Sequence, residues 1–183
     1  MTLANRITLV RVVLVPVLAA LIMSYTSGQE GIRILAVIVY GVAALSDALD
    51  GFVARAYDQK TRLGTVLDPL ADKLLINVSF VFLAVNREFA TPLPAWFPVI
   101  ILGRDFIIVL GSYLINEYFG PLRVRPRISG KLTTLFQMGT IAVVLLEWRI
   151  AQGLIWATLA ISIVSFFDYM YTGIKQIGNE DAT

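Results

Sequence analysis

Long apolar runs, each broken by a short polar or turn-forming stretch, recur along this chain from end to end. A helix needs roughly 20 apolar residues to cross the ~30 Å hydrocarbon core of a bilayer. The runs predict six such spans, at about 8–25, 33–54, 67–85, 95–117, 130–147 and 152–172. Gly, Pro, Asn or charged residues bound each of them, and no internal repeat or low-complexity segment interrupts the series. The expected fold is therefore all-α, a polytopic integral membrane protein with six transmembrane helices and one domain over residues 1–183.

Composition sharpens this picture. Of 183 residues, 57% are hydrophobic and only 15% are charged, where a soluble domain carries about 25% charged residues. The first run, with Arg6 ahead of its apolar core, has the outline of a secretion signal, but Arg11 lies inside the run and no small-residue cleavage site follows. It is expected to stay as the first span.

Charge sets the orientation. With the N-terminus in the cytosol, inside segments hold Arg6, Arg11, Arg55, Lys60, Arg62, Lys73, Arg123, Arg125, Arg127, Lys131 and Lys175, and outside segments hold Arg33, Arg87 and Arg149. Basic residues in short loops stay inside, so both termini are expected in the cytosol. The net charge of +2 gives no reason to expect a nucleic-acid partner.

Histidine and cysteine are both absent. That excludes thiol chemistry, Ser-His-Asp and Cys-His nucleophiles, and any zinc site built on imidazole or thiolate. What remains is carboxylates, hydroxyls, Lys, Arg and a metal that prefers oxygen.

Against this background stands "SDALDGFVARAYDQKTRLGTVLDPLADK", residues 46–73. Asp47 and Asp50 are three apart and Asp68 and Asp72 four apart, so on helices each pair projects from one face. Small residues share those faces: Gly51 four after Asp47, Ala54 four after Asp50, Gly64 four before Asp68. Pro69 favours the first turn of a helix, so Gly64 is expected to precede the third helix. Two carboxylates 4 Å apart repel by about 4 kcal/mol at an effective dielectric of ~20, so four together must protonate, separate or hold cations. Arg55 and Lys73 would neutralise part of the charge. An all-oxygen set also suits Mg²⁺, Mn²⁺ or Ca²⁺. Ionisable residues inside a membrane usually mark function. A divalent-cation transporter is the rival reading, disfavoured because the acids gather at one face and Glu30, Glu88 and Glu147 look isolated at the other.

The stretch reads D47-x2-D50-G51-x2-A54-R55-x8-G64-x3-D68-x3-D72. It resembles the signature of the CDP-alcohol phosphatidyltransferases at every fixed position, and six spans extend the likeness over nearly the whole chain. The resemblance implies transfer of a phosphatidyl group from CDP-diacylglycerol to an acceptor hydroxyl with release of CMP. It implies two ions, Mg²⁺ or Mn²⁺, at Asp47, Asp50, Asp68 and Asp72, with Asp72 as the base that deprotonates the acceptor. It assigns Asp47, Gly51, Ala54, Arg55 and Gly64 to the CDP moiety. It further implies a homodimer, and the charge asymmetry puts the motif on the cytosolic side, so the active site is expected at the inner leaflet of a bacterial plasma membrane.

Two further polar features are candidates for the acceptor. Arg123, Arg125 and Arg127 alternate ahead of Lys131, so an extended chain would point the three arginines one way, toward a phosphate or the anionic lipid surface. Arg104 lies mid-span beside Asp105. Adjacent helical residues point about 100° apart, so the pair is not expected to share a contact cleanly, and Arg104 is read as a ligand for an acceptor phosphate. Asp168, near the end of the sixth span, is expected to be an ordinary span-exit residue. Within the family, "NRITLVRVVLVPVLA" and "GKLTTLFQM" resemble the phosphatidylglycerophosphate synthases, which take glycerol 3-phosphate, and the CMP-forming cardiolipin synthases, which take phosphatidylglycerol. Glycerol 3-phosphate is the leading expectation.

Overall fold

The computed structural model describes the backbone of residues 3–56, 64–118 and 128–180, with side chains in 10–46, 73–115, 117–118 and 128–173. These residues form six helices: α1 (Leu3–Ser24), α2 (Glu30–Ala56), α3 (Gly64–Val85), α4 (Trp96–Tyr118), α5 (Ile128–Leu145) and α6 (Ala151–Glu180). Every apolar run became a helix. Among the described residues three stretches meet the length and apolarity needed to cross a membrane, Trp96–Ile115, Ile128–Leu145 and Ala151–Gly173, while α1 and α3 contribute shorter apolar stretches, Val10–Ser24 and Lys73–Val85.

Boundaries differ where helix outlasts apolarity. α6 has 30 residues and is about 45 Å long at 1.5 Å per residue, so it outruns the ~30 Å core and ends beyond the predicted 172. α3 begins at Gly64 itself, which corrects the expectation that Gly64 precedes the helix. Pro69 then sits past the first turn, where its missing N–H removes one backbone bond from the start of α3.

α1 packs against α2 and α3, α5 against α6, and α4 against α6. Since lipid tails are as apolar as the side chains, close fit and polar contacts hold such a bundle together rather than hydrophobic force. Ala36 and Ala43, two turns apart on α2, are wholly buried, where a larger side chain would hold the helices apart. Phe80 of α3 meets Phe97 of α4 edge-on, with ring centroids 5.1 Å apart. Phe106, Val109 and Tyr113 on α4 face outward.

The end of the bundle away from the aspartate motif is tied by Glu147. Its Oε1 accepts from the Tyr25 hydroxyl at 2.9 Å and the Ala90 amide at 3.1 Å, and its Oε2 lies 3.3 Å from Arg33 Nη1. Arg33 also donates to the Leu146 carbonyl at 3.1 Å. Glu147 adopts φ +54°, the left-handed conformation that ends α5. The Asn86 amide donates to the carbonyls of Ile22 and Tyr25, and Glu88 accepts from the Ser27 amide. Glu147 and Glu88 are thus fasteners, not the isolated charges their spacing suggested.

Candidate active site

The motif aspartates fall at the end of α2 and the start of α3, as their spacing required. The side chains of Asp47, Asp50, Asp68, Asp72, Gly51, Ala54, Arg55 and Gly64 lie outside the described residues, as do Arg123, Arg125 and Arg127 altogether. The described part of the site begins one residue after Asp72.

Lys73 on α3 and Arg104 on α4 share one carboxylate. Asp105 takes Arg104 Nη1 on Oδ1 at 2.7 Å and the Lys73 ammonium on Oδ2. Neighbouring residues on one helix therefore do share a contact, contrary to the 100° expectation. Lys73, read as a counter-charge to the aspartates, is held by α4. Asp105 and Arg104 side chains are each 10% exposed and that of Lys73 is 41% exposed. Within this triad two cations share one largely buried carboxylate.

α6 completes the cradle. Arg104 Nη2 donates to Ser165 Oγ at 2.6 Å, and its guanidinium carbon lies 6.0 Å from the centroid of the Tyr169 ring, at the outer reach of a cation–π contact. Ser129 Oγ donates to Asp168 Oδ2 at 2.7 Å, tying the first turn of α5 to α6. Asp168 is therefore more than a span exit. Gly130 leaves room for Tyr169: a Cβ there would stand 2.8 Å from its hydroxyl. Lys131 follows, exposed, at the start of α5. The chain thus brings Arg104, Asp105 and Lys73 together and fixes the start of α5, which carries Lys131, to the same stretch of α6.

Sequence reasoning missed Ser165, Tyr169 and Ser129, together with a buried polar row on the facing sides of α5 and α6. Thr133, Gln137 and Thr140 on α5 and Thr158, Ser162 and Ser165 on α6 are each at most 1% exposed. The signal was present: hydroxyls and an amide recur at helical spacing inside otherwise apolar spans.

Any metal here must bind through oxygen, because the chain has no imidazole or thiolate. The four aspartates, two of them on α3 just ahead of Lys73, are a donor set of the right chemistry for Mg²⁺ or Mn²⁺.

The sequence profile of the CDP-alcohol phosphatidyltransferases matches residues 1–164. A CDP-diacylglycerol–glycerol-3-phosphate 3-phosphatidyltransferase of Aquifex aeolicus is 33% identical, covering 98% of this chain and 100% of its own length. The corresponding Bacillus subtilis enzyme is 29% identical, over 91% of this chain and 92% of its own. A CMP-forming cardiolipin synthase of Homo sapiens is 30% identical over 94% of this chain, which spans 55% of that protein. With the motif, the helical bundle and a profile match over most of its length, this chain belongs to the CDP-alcohol phosphatidyltransferase family.

Proposed function

We propose that all six helices cross the membrane and that the protein transfers a phosphatidyl group from CDP-diacylglycerol to glycerol 3-phosphate, releasing CMP. The observation that carries this reading is the anchored guanidinium of Arg104, a largely buried cation tied by Asp105 to the residue after Asp72. A cation fixed so near the motif helix suits the phosphate of an acceptor whose hydroxyl must reach the donor. The Aquifex and Bacillus relatives, named for that acceptor, support the same choice.

The residues divide the work. Asp47, Asp50, Asp68 and Asp72 would hold two Mg²⁺ or Mn²⁺ ions, which when bound neutralise charge on the donor diphosphate. Gly51, Ala54 and Gly64 leave the backbone open to the CDP moiety, and Arg55 and Asp47 bind it. Arg104 holds the acceptor phosphate and orients its hydroxyl, with Lys131 and the Arg123, Arg125 and Arg127 segment drawing anionic substrate to the cytosolic face. Asp72 takes the hydroxyl proton as the oxygen attacks the lipid-linked phosphorus and the bond to CMP breaks. The lipid product keeps the diacylglycerol phosphate, and no covalent enzyme intermediate is needed.

The positive-inside bias supports a cytosolic site at the inner leaflet of a bacterial plasma membrane, and the protein would work as a homodimer, as the resemblance implies. Phosphatidylglycerol is the second acceptor, favoured by the human cardiolipin synthase relative. Family membership argues against the cation-transporter reading. An acceptor panel tests the proposal: glycerol 3-phosphate, phosphatidylglycerol, inositol phosphate and serine are each supplied with CDP-diacylglycerol, and the product is weighed by mass spectrometry. Phosphatidylglycerophosphate is expected; cardiolipin alone would transfer the assignment to the second acceptor.

A further inference from the structure

Gln137 is wholly buried, yet among the described residues neither end of its amide finds a hydrogen-bond partner, and the same holds for Ser162 Oγ, in a residue 1% exposed. Arg104 Nε–H is likewise without a hydrogen-bond partner. A buried polar group left unpaired is costly, and in lipid no solvent is available to relieve it. Native structures hold few such groups, and each calls for a reason.

Their positions supply one. Two contacts set the register of α5 against α6: Thr140 with Thr158, hydroxyl to hydroxyl at 2.6 Å, and Ser129 with Asp168 at 2.7 Å. On α6, Ser162 lies one turn after Thr158 and just under one turn before Ser165. On α5, Gln137 lies just under one turn before Thr140 and one turn after Thr133. Gln137 and Ser162 therefore share the layer between the Thr140–Thr158 rung and the level at which Arg104 meets Ser165. Beyond that rung the core is closed by apolar side chains such as Ile141, Val144 and Ile155.

We propose that Gln137 and Ser162, with the Nε–H of Arg104, form the blind inner end of the acceptor subsite, one that receives a terminal phosphate and turns away a phosphodiester. The inference rests on the reading that Arg104 binds the acceptor phosphate, and it adds the residues that decide which phosphate fits. The layer is rich in donors: two N–H of the Gln137 amide, the Ser162 hydroxyl and the arginine N–H. Such a set beside a guanidinium suits an anion's oxygens. A phosphomonoester presents three terminal oxygens and one ester arm, where a phosphodiester presents two and carries a second arm, for which the Thr140–Thr158 rung leaves no path. The subsite therefore selects glycerol 3-phosphate over phosphatidylglycerol.

The test uses the full chain in detergent with Gln137→Leu, Ser162→Ala and, in parallel, Arg104→Ala. Gln137→Leu should raise the KM for glycerol 3-phosphate about tenfold, as expected for a lost hydrogen bond to a charged group, with the KM for CDP-diacylglycerol unchanged. Its unfolding midpoint should hold or rise, because an unpaired amide has been replaced by an apolar side chain of similar size. Ser162→Ala, a smaller change that preserves packing, should shift the same KM in the same direction. A lowered midpoint with both KM values rising together would make Gln137 a structural residue and overturn the inference. So would turnover of phosphatidylglycerol by the unaltered protein. If Arg104→Ala raises the acceptor KM while the other two variants do not, only this inference fails; if none of the three moves it, the acceptor reading beneath it falls as well.

Discussion

Replacing Asp105 with alanine should destabilise the protein through the charge it leaves behind. The carboxylate and the Arg104 guanidinium are each 10% exposed and meet at 2.7 Å. Without Asp105, Arg104 keeps the Ser165 hydroxyl and the Tyr169 ring but loses the one carboxylate it pairs with among the described residues. Breaking a buried pair by removing one partner costs about 3–5 kcal/mol. The Lys73 half adds little, because its side chain is 41% exposed and an exposed pair contributes at most about 1 kcal/mol. The low end, about 3 kcal/mol, is the expected loss, or a fall of roughly 6–12 °C in the unfolding midpoint for a chain of this size. Thermal unfolding in detergent, followed by circular dichroism, measures it. Adding Arg104→Met to Asp105→Ala removes the stranded charge and should recover most of the loss, since apolar replacement of a whole buried pair is close to neutral. A single variant within 2 °C of the parent, or a double variant less stable than the single, would refute the reasoning.

Other outcomes follow from particular contacts. Glu147→Ala removes two hydrogen bonds and an ion pair at the end of the bundle away from the motif, and should cost about 2 kcal/mol in thermal unfolding without altering either substrate's KM. Gly130→Ala should lower turnover severalfold, because its Cβ would stand 2.8 Å from the Tyr169 hydroxyl; adding Tyr169→Phe removes that oxygen and should restore activity, whereas no rescue would place the fault elsewhere. Asp72→Asn should abolish turnover while CDP-diacylglycerol binding, measured by calorimetry, persists; near-normal turnover would remove Asp72 from the role of base.

Much of the fold was legible because apolar runs in a membrane protein have few alternatives to helix. The fourth span, expected at about 95–117, is Trp96–Tyr118. The ends were less legible: α1 starts at Leu3 and α6 runs to Glu180 because polar residues such as Asn5, Arg6 and Lys175 continue a helix past the lipid as readily as apolar ones continue it within. The placement of the aspartate motif at the end of α2 and the start of α3, and the family it points to, could be read because both depend on spacing along two adjacent helices. The Arg104 cradle could not, since it depends on α4 lying against α6 and on an arginine long enough to reach both its neighbour and the facing helix. Glu147 looked isolated for the same reason: its partners Tyr25, Arg33 and Ala90 come from three other parts of the chain.

The most direct measurement counts CMP released against phosphatidylglycerophosphate formed when the purified protein receives CDP-diacylglycerol, glycerol 3-phosphate and Mg²⁺, with and without excess EDTA. One CMP for each lipid product, and neither once the chelator is present, is the predicted result. CMP released without lipid product, or undiminished turnover in EDTA, would contradict the account.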